Sequence, residues 1–462
     1  MRSSYKLLVV LFFVCGTVLR ILLYWANPPD NYFDNHFMPI IMIMDSGTLP
    51  AKDACFQCYH PPFFYWTSAM IGKAAEAMKI KMSQLLKLLQ FLSCFYGICT
   101  LGIIFLILQK LPLSGFSRLL AFCAVCFLPR DIYMSAINSN DSISSLFVAL
   151  SVYVLFLTIE RSLHPFILLL LSIVISTAIF TKYTAYVVLP IVCIVFVSLF
   201  YRRLIASRKQ VALSLILVLL LPITMLSAYF ISNKKNYGSP LPGNIQKLNP
   251  LLTYPHDTPR LDFISFKPWE SIRTAILVPG KMHSFWTLVY NGMWFDNEPK
   301  FLHFLDSNKC WWNHYYGWLK GKEKYPGDNL SLSPLTKITG VGLVTLGLFP
   351  FILILSGFYH FARSWKGWQK GKGLDMAKMG IFPTLLLSNT AGIIALAIQW
   401  PVYSSMKASY FLISLPAFAA FLGLGLMLCE KNKKLKYTVV IIFCLLFGLV
   451  GVHILQIVHS LL

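Results

Sequence analysis

Charge is scarce in this sequence, and negative charge is scarcest: 18 Asp and Glu stand against 40 Lys and Arg in 462 residues, and only 13% of positions are charged. A soluble globular domain carries about 25% charged residues to cover its surface, so a water-soluble fold of this size is excluded. The chain also lacks a Walker loop, a GxGxxG turn and an HExxH pair, which removes the usual sequence support for nucleotide-driven transport and zinc proteolysis. Repeats of roughly 20–50 residues and heptad runs are missing as well, which argues against solenoids and coiled coils.

Apolar surface is what the chain has in plenty. Hydrophobic residues make up 57% of it, gathered into runs that reach the roughly 20 residues a helix needs to cross a bilayer core. Spans are predicted near 6–25, 84–109, 117–133, 142–160, 165–181, 184–200, 211–231, 335–358, 381–399, 410–429 and 438–458. The fold class is therefore an all-α integral membrane protein of about 11 transmembrane helices. Three segments follow: a membrane module at 1–231, an aromatic-rich loop at 232–334 and the last helices at 335–462.

Basic residues set the orientation, because short loops rich in Lys and Arg stay in the cytoplasm during insertion. Arg2 and Lys6, then Arg202, Arg203, Arg208 and Lys209, then Arg363, Lys366, Lys370, Lys372 and Lys378, then Lys431, Lys433, Lys434 and Lys436 fall in alternate loops. A net charge of +22 so distributed points to topology and anionic lipid head groups as partners, and not to nucleic acid. No small-x-small cleavage site follows the first apolar run, so it is read as helix one and not as a signal peptide. The amino terminus is then cytoplasmic. Loops 26–83 and 232–334 are extracytoplasmic and expected to contain short amphipathic helices, and the short turns near 134–141, 182–183 and 400–409 share their side. The cytoplasmic loops are too short for a nucleotide-binding domain, so any substrate arrives through the membrane or from outside.

Of 11 cysteines, all but Cys55, Cys58 and Cys310 lie in or at the end of apolar runs, where they act as small hydrophobes. Cys55 and Cys58 lie in an extracytoplasmic loop where a disulfide survives. The spacing alone leaves a disulfide, free thiols and a metal or redox role open, and one CxxC near His60 is too few ligands to specify a metal.

The first loop carries Asp34-Asn35-His36, an apolar stretch to Asp45-Ser46-Gly47-Thr48-Leu49-Pro50, and His60-Pro61-Pro62-Phe63-Phe64-Tyr65. The stretch 35–47 is predicted to form a short helix on the membrane, and the Pro pair a rigid turn before an aromatic return to the bilayer. An acidic group between such anchors sits at head-group level.

In this arrangement the sequence resembles the GT-C class of membrane glycosyltransferases, in particular the protein O-mannosyltransferase and lipid A aminoarabinose transferase family. The resemblance is one of pattern and runs over most of the chain. It lies in Asp34 after helix one, the Gly47 to Pro50 turn, the His60 to Tyr65 motif, Arg130-Asp131 through Asn140-Asp141, Thr181-Lys182, Tyr237-Gly238-Ser239-Pro240, and Lys407 with Tyr410 and Pro416. Asn35 stands where members often have Glu, which weakens a paired-acid or metal role at that position. The C-terminal acceptor domain of some members is not expected, leaving the two loops to shape acceptor choice.

The resemblance implies transfer of a sugar from a polyprenyl-phosphate donor to an extracytoplasmic hydroxyl on protein, lipid or glycan, with inversion. It gives Asp34 the role of base and Lys182, Lys407 and Arg130 the leaving phosphate. Asp141 would steady an oxocarbenium-like sugar, and Tyr410 and His60 would hydrogen-bond phosphate or sugar. Each residue has a plainer reading. The two lysines snorkel to head groups, Arg130 pairs with Asp131, Asp141 caps its helix, and His60 packs beside the prolines. No cofactor is expected, and the residues leave metal dependence open.

In the long loop, Ser284-Phe285-Trp286, Gly292-Met293-Trp294-Phe295-Asp296 and Cys310 to Trp318 read equally as sugar-stacking faces or as aromatics of the bilayer interface. Asn329-Leu330-Ser331 is a sequon on the extracytoplasmic side. A secondary transporter or lipid-linked sugar flippase is the alternative. Against it, the ionisable residues fall at helix ends and no two halves look alike. A non-catalytic scaffold fits the topology but leaves the one-sided motifs unexplained. The expected location is the cell membrane, or the endoplasmic reticulum in a eukaryotic host. Cysteine labelling should find positions near 205, 370 and 433 cytoplasmic and those near 50 and 300 outside; the same side for 370 and 300 would dissolve the one-face arrangement.

Overall fold

The computed structural model describes residues 2–29, 36–202, 205–243, 263–273, 284–295, 333–370, 377–399 and 405–462. Among these residues there is no strand, and nine helical segments are long and apolar enough to cross a membrane. The protein is a multi-pass, all-α membrane protein. This outcome follows from solvent: with no water in the bilayer, backbone N–H and C=O groups must be satisfied within the segment, and the helix does so.

The order is α1 (Arg2–Ala26), α2 (Phe37–Ser46), α3 (Phe63–Ala77), α4 (Met82–Gln109), α5 (Gly115–Cys126), α6 (Pro129–Ser135), α7 (Asn140–Glu160) and α8 (Pro165–Thr181). A 3-10 segment η1 (Tyr183–Val187) leads into α9 (Val188–Arg202) and α10 (Arg208–Tyr237), and α11 is Phe285–Trp294. The last part holds α12 (Pro334–Lys370), α13 (Ile381–Gln399), a 3-10 segment η2 (Ala408–Ser414), α14 (Leu415–Glu430) and α15 (Lys433–Leu461). Every predicted span falls on helix, and the predicted surface helix is α2.

One predicted span, 117–133, is divided. The helix stops at Cys126, Leu128 is extended at φ −73° and ψ 113°, and Pro129 opens α6. Proline has no N–H to continue a helix and disfavours helical backbone in the residue before it, yet fits a first turn. All seven residues of α6 are buried. Tyr133 hydroxyl and His453 Nε2 of α15 lie 2.6 Å apart, and Asn27 and Gln90 both donate to the Ala136 carbonyl at 2.7 Å.

Asp131, in the first turn of α6, is paired with Arg20 of α1, both side chains fully enclosed. Arg20 Nη1 also donates to the carbonyls of Gly16 at 2.8 Å and Cys126 at 2.9 Å. The plainer reading of Arg130, as the partner of Asp131, is thus replaced: the neighbour in sequence points elsewhere, and the partner comes from a different helix. Gly97 of α4 leaves room for this arrangement, since a Cβ there would run into the Ser135 side chain.

α7 is enclosed along most of its length and separates two polar ends. Glu160 at its last turn pairs with Lys110 at 2.5 Å and Lys378 at 2.8 Å. Asp141, in its first turn, lies roughly 30 Å away by helical rise. Loops predicted to be cytoplasmic therefore meet at one end, and the motif-bearing turns meet at the other. α12 and α14 pack backbone to backbone through Gly357 and Gly425, each facing a carbonyl of the other helix, Phe421 and Leu353 respectively. Small residues permit such approach where lipid supplies no hydrophobic drive between helices.

Gly425→Val should lower stability by about 1–3 kcal/mol or more through collision with the Leu353 carbonyl. Gly448→Ala and Gly451→Ala, where an added Cβ meets nothing within 4 Å, should leave it unchanged or slightly raised. Thermal unfolding in detergent checks the contrast, and equal melting of all three variants would contradict the packing.

Candidate functional site

The site starts at the amino end of α7. Ser139 is the N-cap, extended at φ −146° and ψ 152°, and its hydroxyl accepts the Asp141 N–H at 3.2 Å while donating to Asp141 Oδ2 at 3.0 Å. Capping therefore belongs to Ser139, not Asp141, and the Asp141 carboxylate is left to face another helix. A carboxylate is favoured there by the exposed N–H groups of the first turn.

Its partner is Lys182. α8 ends at Thr181, Lys182 is extended at φ −158° and ψ 144°, and η1 begins at the next residue. That break turns the side chain onto α7, where Nζ donates to Asp141 Oδ1 at 2.6 Å, with Lys182 itself only 4% exposed. A snorkelling lysine would be exposed to head groups, so this reading does not hold for Lys182. The ammonium also stands 5.1 Å from the centre of the Tyr410 ring, a cation–π distance.

Tyr410 is placed by η2. Asn389 of α13 donates to the Tyr410 carbonyl at 3.1 Å and to Ser414 Oγ at 2.9 Å. Lys407, also buried, precedes η2 as its N-cap, and its carbonyl accepts from Tyr410 N at 3.3 Å. α7 packs on η2, and these two elements carry the buried hydroxyls of Ser144, Ser145 and Ser409, which have no hydrogen-bond partner among the described residues. Ser144 and Ser145 follow Asp141 by three and four positions, so they share its helix face.

His60 reaches the site from the first loop. Cys55 and Cys58 form a disulfide with Cα atoms 5.1 Å apart, which resolves the three readings of this CxxC. The Tyr59 and His60 rings are 4.1 Å apart, with His36 at 5.7 Å and Tyr183 at 6.3 Å from His60. His36 Nδ1 and the Tyr65 hydroxyl are 2.6 Å apart. His60 is thus a member of a ring cluster and not merely a neighbour of prolines.

Lys182 contacts both Asp141 and the Tyr410 ring, Lys407 shares the turn with Tyr410, and the His60 ring lies near that of Tyr183, the residue after Lys182. Arg130 belongs to a different contact: its Nε donates to the Gly292 carbonyl of α11 at 2.5 Å. Asp34 lies outside the described residues. So do Asp296, Cys310 to Trp318 and Asn329. Of the described aromatics in that loop, Phe285, Tyr290 and Trp294 are buried; Tyr290 donates to the Val344 carbonyl at 2.6 Å, and burial raises its pKa, keeping the proton on. These three pack, whereas Tyr237, Phe266, Trp269 and Trp286 are exposed.

Sequence reasoning passed over Lys52, Tyr59, Tyr183 and Tyr229. Lys52 Nζ donates to the His60 carbonyl at 3.0 Å and the Tyr229 hydroxyl at 2.9 Å, and Tyr183 donates to the Tyr59 carbonyl at 2.9 Å. The available signal was position: Lys52, Tyr59 and Tyr183 each lie within two residues of a motif already singled out, whereas Tyr229 lies eight residues before Tyr237 and only the fold brings it in. No group of three or more His, Cys, Asp or Glu forms a metal-ligand cluster among the described residues.

No family model and no curated protein matches the sequence. Solved structures do. An oligosaccharyltransferase from Archaeoglobus fulgidus in complex with zinc and sulfate superposes with a TM-score of 0.51 at 13% identity, covering 96% of this chain and 53% of that one. The same enzyme tethered with an acceptor peptide containing the NVT sequon gives 0.51 at 11% identity, over 96% and 55%. The chain shares the GT-C fold. ArnT from Cupriavidus metallidurans bound to undecaprenyl phosphate scores 0.45 at 11% identity over 98% of this chain and 75% of that one, and the fold likeness rests on the oligosaccharyltransferase. This chain spans about half the length of that protein.

Removing one member of a buried ion pair costs about 3–5 kcal/mol, whereas an apolar pair of similar volume is often tolerated. Asp141→Ala and Lys182→Ala should each lower the melting temperature strongly, and Asp141→Leu with Lys182→Met should recover most of the loss. A double variant no better than the worse single one would show that the two charges do not act as a pair.

Proposed function

We propose that this GT-C-fold protein is a membrane glycosyltransferase that moves a sugar from a polyprenyl-phosphate donor to a hydroxyl on the extracytoplasmic side. The observation that carries the reading is the buried Asp141–Lys182 pair beneath Tyr410, at the end of the bundle where the motif-bearing turns meet. A buried ammonium at a helix break is a poor stabiliser for its desolvation cost. It is a sensible arrangement for a group that must meet a phosphate at the membrane surface.

The chemistry asks little more. The acceptor oxygen bonds to the anomeric carbon as the bond to the phosphate oxygen breaks, and the acceptor proton passes to a carboxylate base. Asp34 takes that role on its motif position, and one displacement inverts the anomeric centre. Lys182 has three N–H groups and spends one on Asp141, which leaves donors for a phosphate oxygen as charge grows on it. Asp141 fixes the direction of that ammonium and adds negative potential where the sugar becomes oxocarbenium-like. Lys407 and Tyr410 approach from the opposite element, and His60 from the first loop. Arg130 holds α11 to α6 through Nε, and it is assigned to the phosphate on its motif position. The basic loops support a cytoplasmic amino terminus, and acceptor choice falls to the two long loops.

Membranes given radiolabelled polyprenyl-phosphate sugar should pass label to acceptor. Asp34→Asn should cut transfer by about 10² or more while donor binding persists, and Lys182→Ala or Lys407→Ala should weaken donor binding as well. Undiminished transfer by Asp34→Asn would remove it as base. No transfer by the wild type over a broad donor and acceptor panel would favour a transporter, which leaves the sugar–phosphate bond intact.

A further inference from the structure

Four residues outside the motif set form a single chain of hydrogen bonds beside the site. Lys52 Nζ lies 2.9 Å from the Tyr229 hydroxyl, the Tyr229 and Tyr183 hydroxyls are 3.2 Å apart, and the Tyr183 hydroxyl is 2.9 Å from the Tyr59 carbonyl. Donor counting fixes its direction. An ammonium only donates and a carbonyl only accepts, and each phenol has one hydrogen. Tyr183 gives its hydrogen to Tyr59, so Tyr229 must give its own to Tyr183 and accept from Lys52. Every link depends on the next.

The chain holds one short segment from both sides. Lys52 closes it by donating to the His60 carbonyl at 3.0 Å, its own backbone N–H reaches the Tyr237 hydroxyl at 3.3 Å, and its ammonium stands 5.0 Å above the Tyr229 ring. Tyr229 and Tyr237 lie eight positions apart on α10, about two turns, and so on one face. Residues 52–60, shortened by the Cys55–Cys58 disulfide, are thus fastened to α10 and to η1. Tyr183 is the residue next to Lys182. The same backbone that turns the ammonium onto Asp141 therefore turns the phenol onto the loop that carries His60.

We propose that Tyr183 is a positioning residue for this site: its hydroxyl, ordered by Tyr229 and Lys52, holds the Tyr59–His60 loop in register with the Asp141–Lys182 pair. The consequence for catalysis rests on the transfer reading above, but the loop-holding role does not. Tyr183→Phe removes one oxygen and keeps the ring contacts with Tyr59, His60 and Tyr186. Tyr186→Phe is the control, because its hydroxyl has no hydrogen-bond partner among the described residues.

The experiment is hydrogen–deuterium exchange on the full chain in lipid nanodiscs, read on peptides covering 50–62, beside transfer kinetics with polyprenyl-phosphate sugar. Tyr183→Phe should speed exchange there about fivefold, the effect of losing one hydrogen bond, with the melting temperature held and Tyr186→Phe unchanged. Tyr229→Phe added to Tyr183→Phe should bring little more, because the chain is already broken. In transfer, kcat should fall about tenfold with the donor KM held, since the Asp141–Lys182 pair is untouched. Equal exchange in Tyr183→Phe and Tyr186→Phe would overturn the proposal, as would a raised donor KM at unchanged kcat, which would make Tyr183 a donor-binding group. Should the wild type transfer nothing, the exchange result still decides the role of Tyr183, and only the transfer reading falls.

Discussion

The ion pair between Arg20 and Asp131 is the constraint on which the rest of this structure depends. Two full charges lie among apolar helices with their side chains closed off from solvent, and either one alone would be prohibitively costly there. The pair is tolerable because Arg20 spreads its remaining donors over the Gly16 and Cys126 carbonyls, the latter left open by the end of α5. The charge thus satisfies a helix end, and the helix end satisfies the charge. This lock fixes α6 inside the bundle, α6 sets the start of α7, and the start of α7 aims Asp141.

The site repeats that logic with a difference that favours function. The Asp141–Lys182 pair also joins residues distant in sequence across a helix end, but it lies at the edge of the bundle, with a second buried lysine, an aromatic ring and three serine hydroxyls on the same two elements. Arg20 uses its donors on backbone carbonyls of its surroundings. Lys182 has one carboxylate contact and one ring face. Three hydrogen bonds hold the Arg20 guanidinium in place, whereas the Lys182 ammonium makes one and keeps donors in reserve for a ligand.

Much of this was legible in the sequence, and the residues show why. Spans were plain because lipid demands long apolar runs. His60, Lys182 and Tyr410 were singled out because motif order and alternate basic loops grouped their turns at one end of the bundle. The break at Pro129 was less plain, since the apolar run 117–133 continues through it and hydropathy does not register a change of direction. Lys52 was marked only by its nearness to Pro50, and Tyr229 was not legible at all. A lysine in a polar loop and a tyrosine near a helix end are each ordinary, and only their 2.9 Å approach across 177 positions gives them meaning.

What the sequence determined by itself is the membrane class, the approximate spans and which turns share an end of the bundle, because each depends on local composition: the apolar length against the bilayer thickness, and the charge of short loops. What only the tertiary structure decided is partnership. It gave Asp131 to Arg20 instead of Arg130, gave the helix cap to Ser139 instead of Asp141, and set Lys182 on Asp141 instead of lipid head groups. A buried charge is satisfied by whichever opposite group the packing brings within about 3 Å, and that distance is a property of the folded bundle that no local stretch of sequence contains.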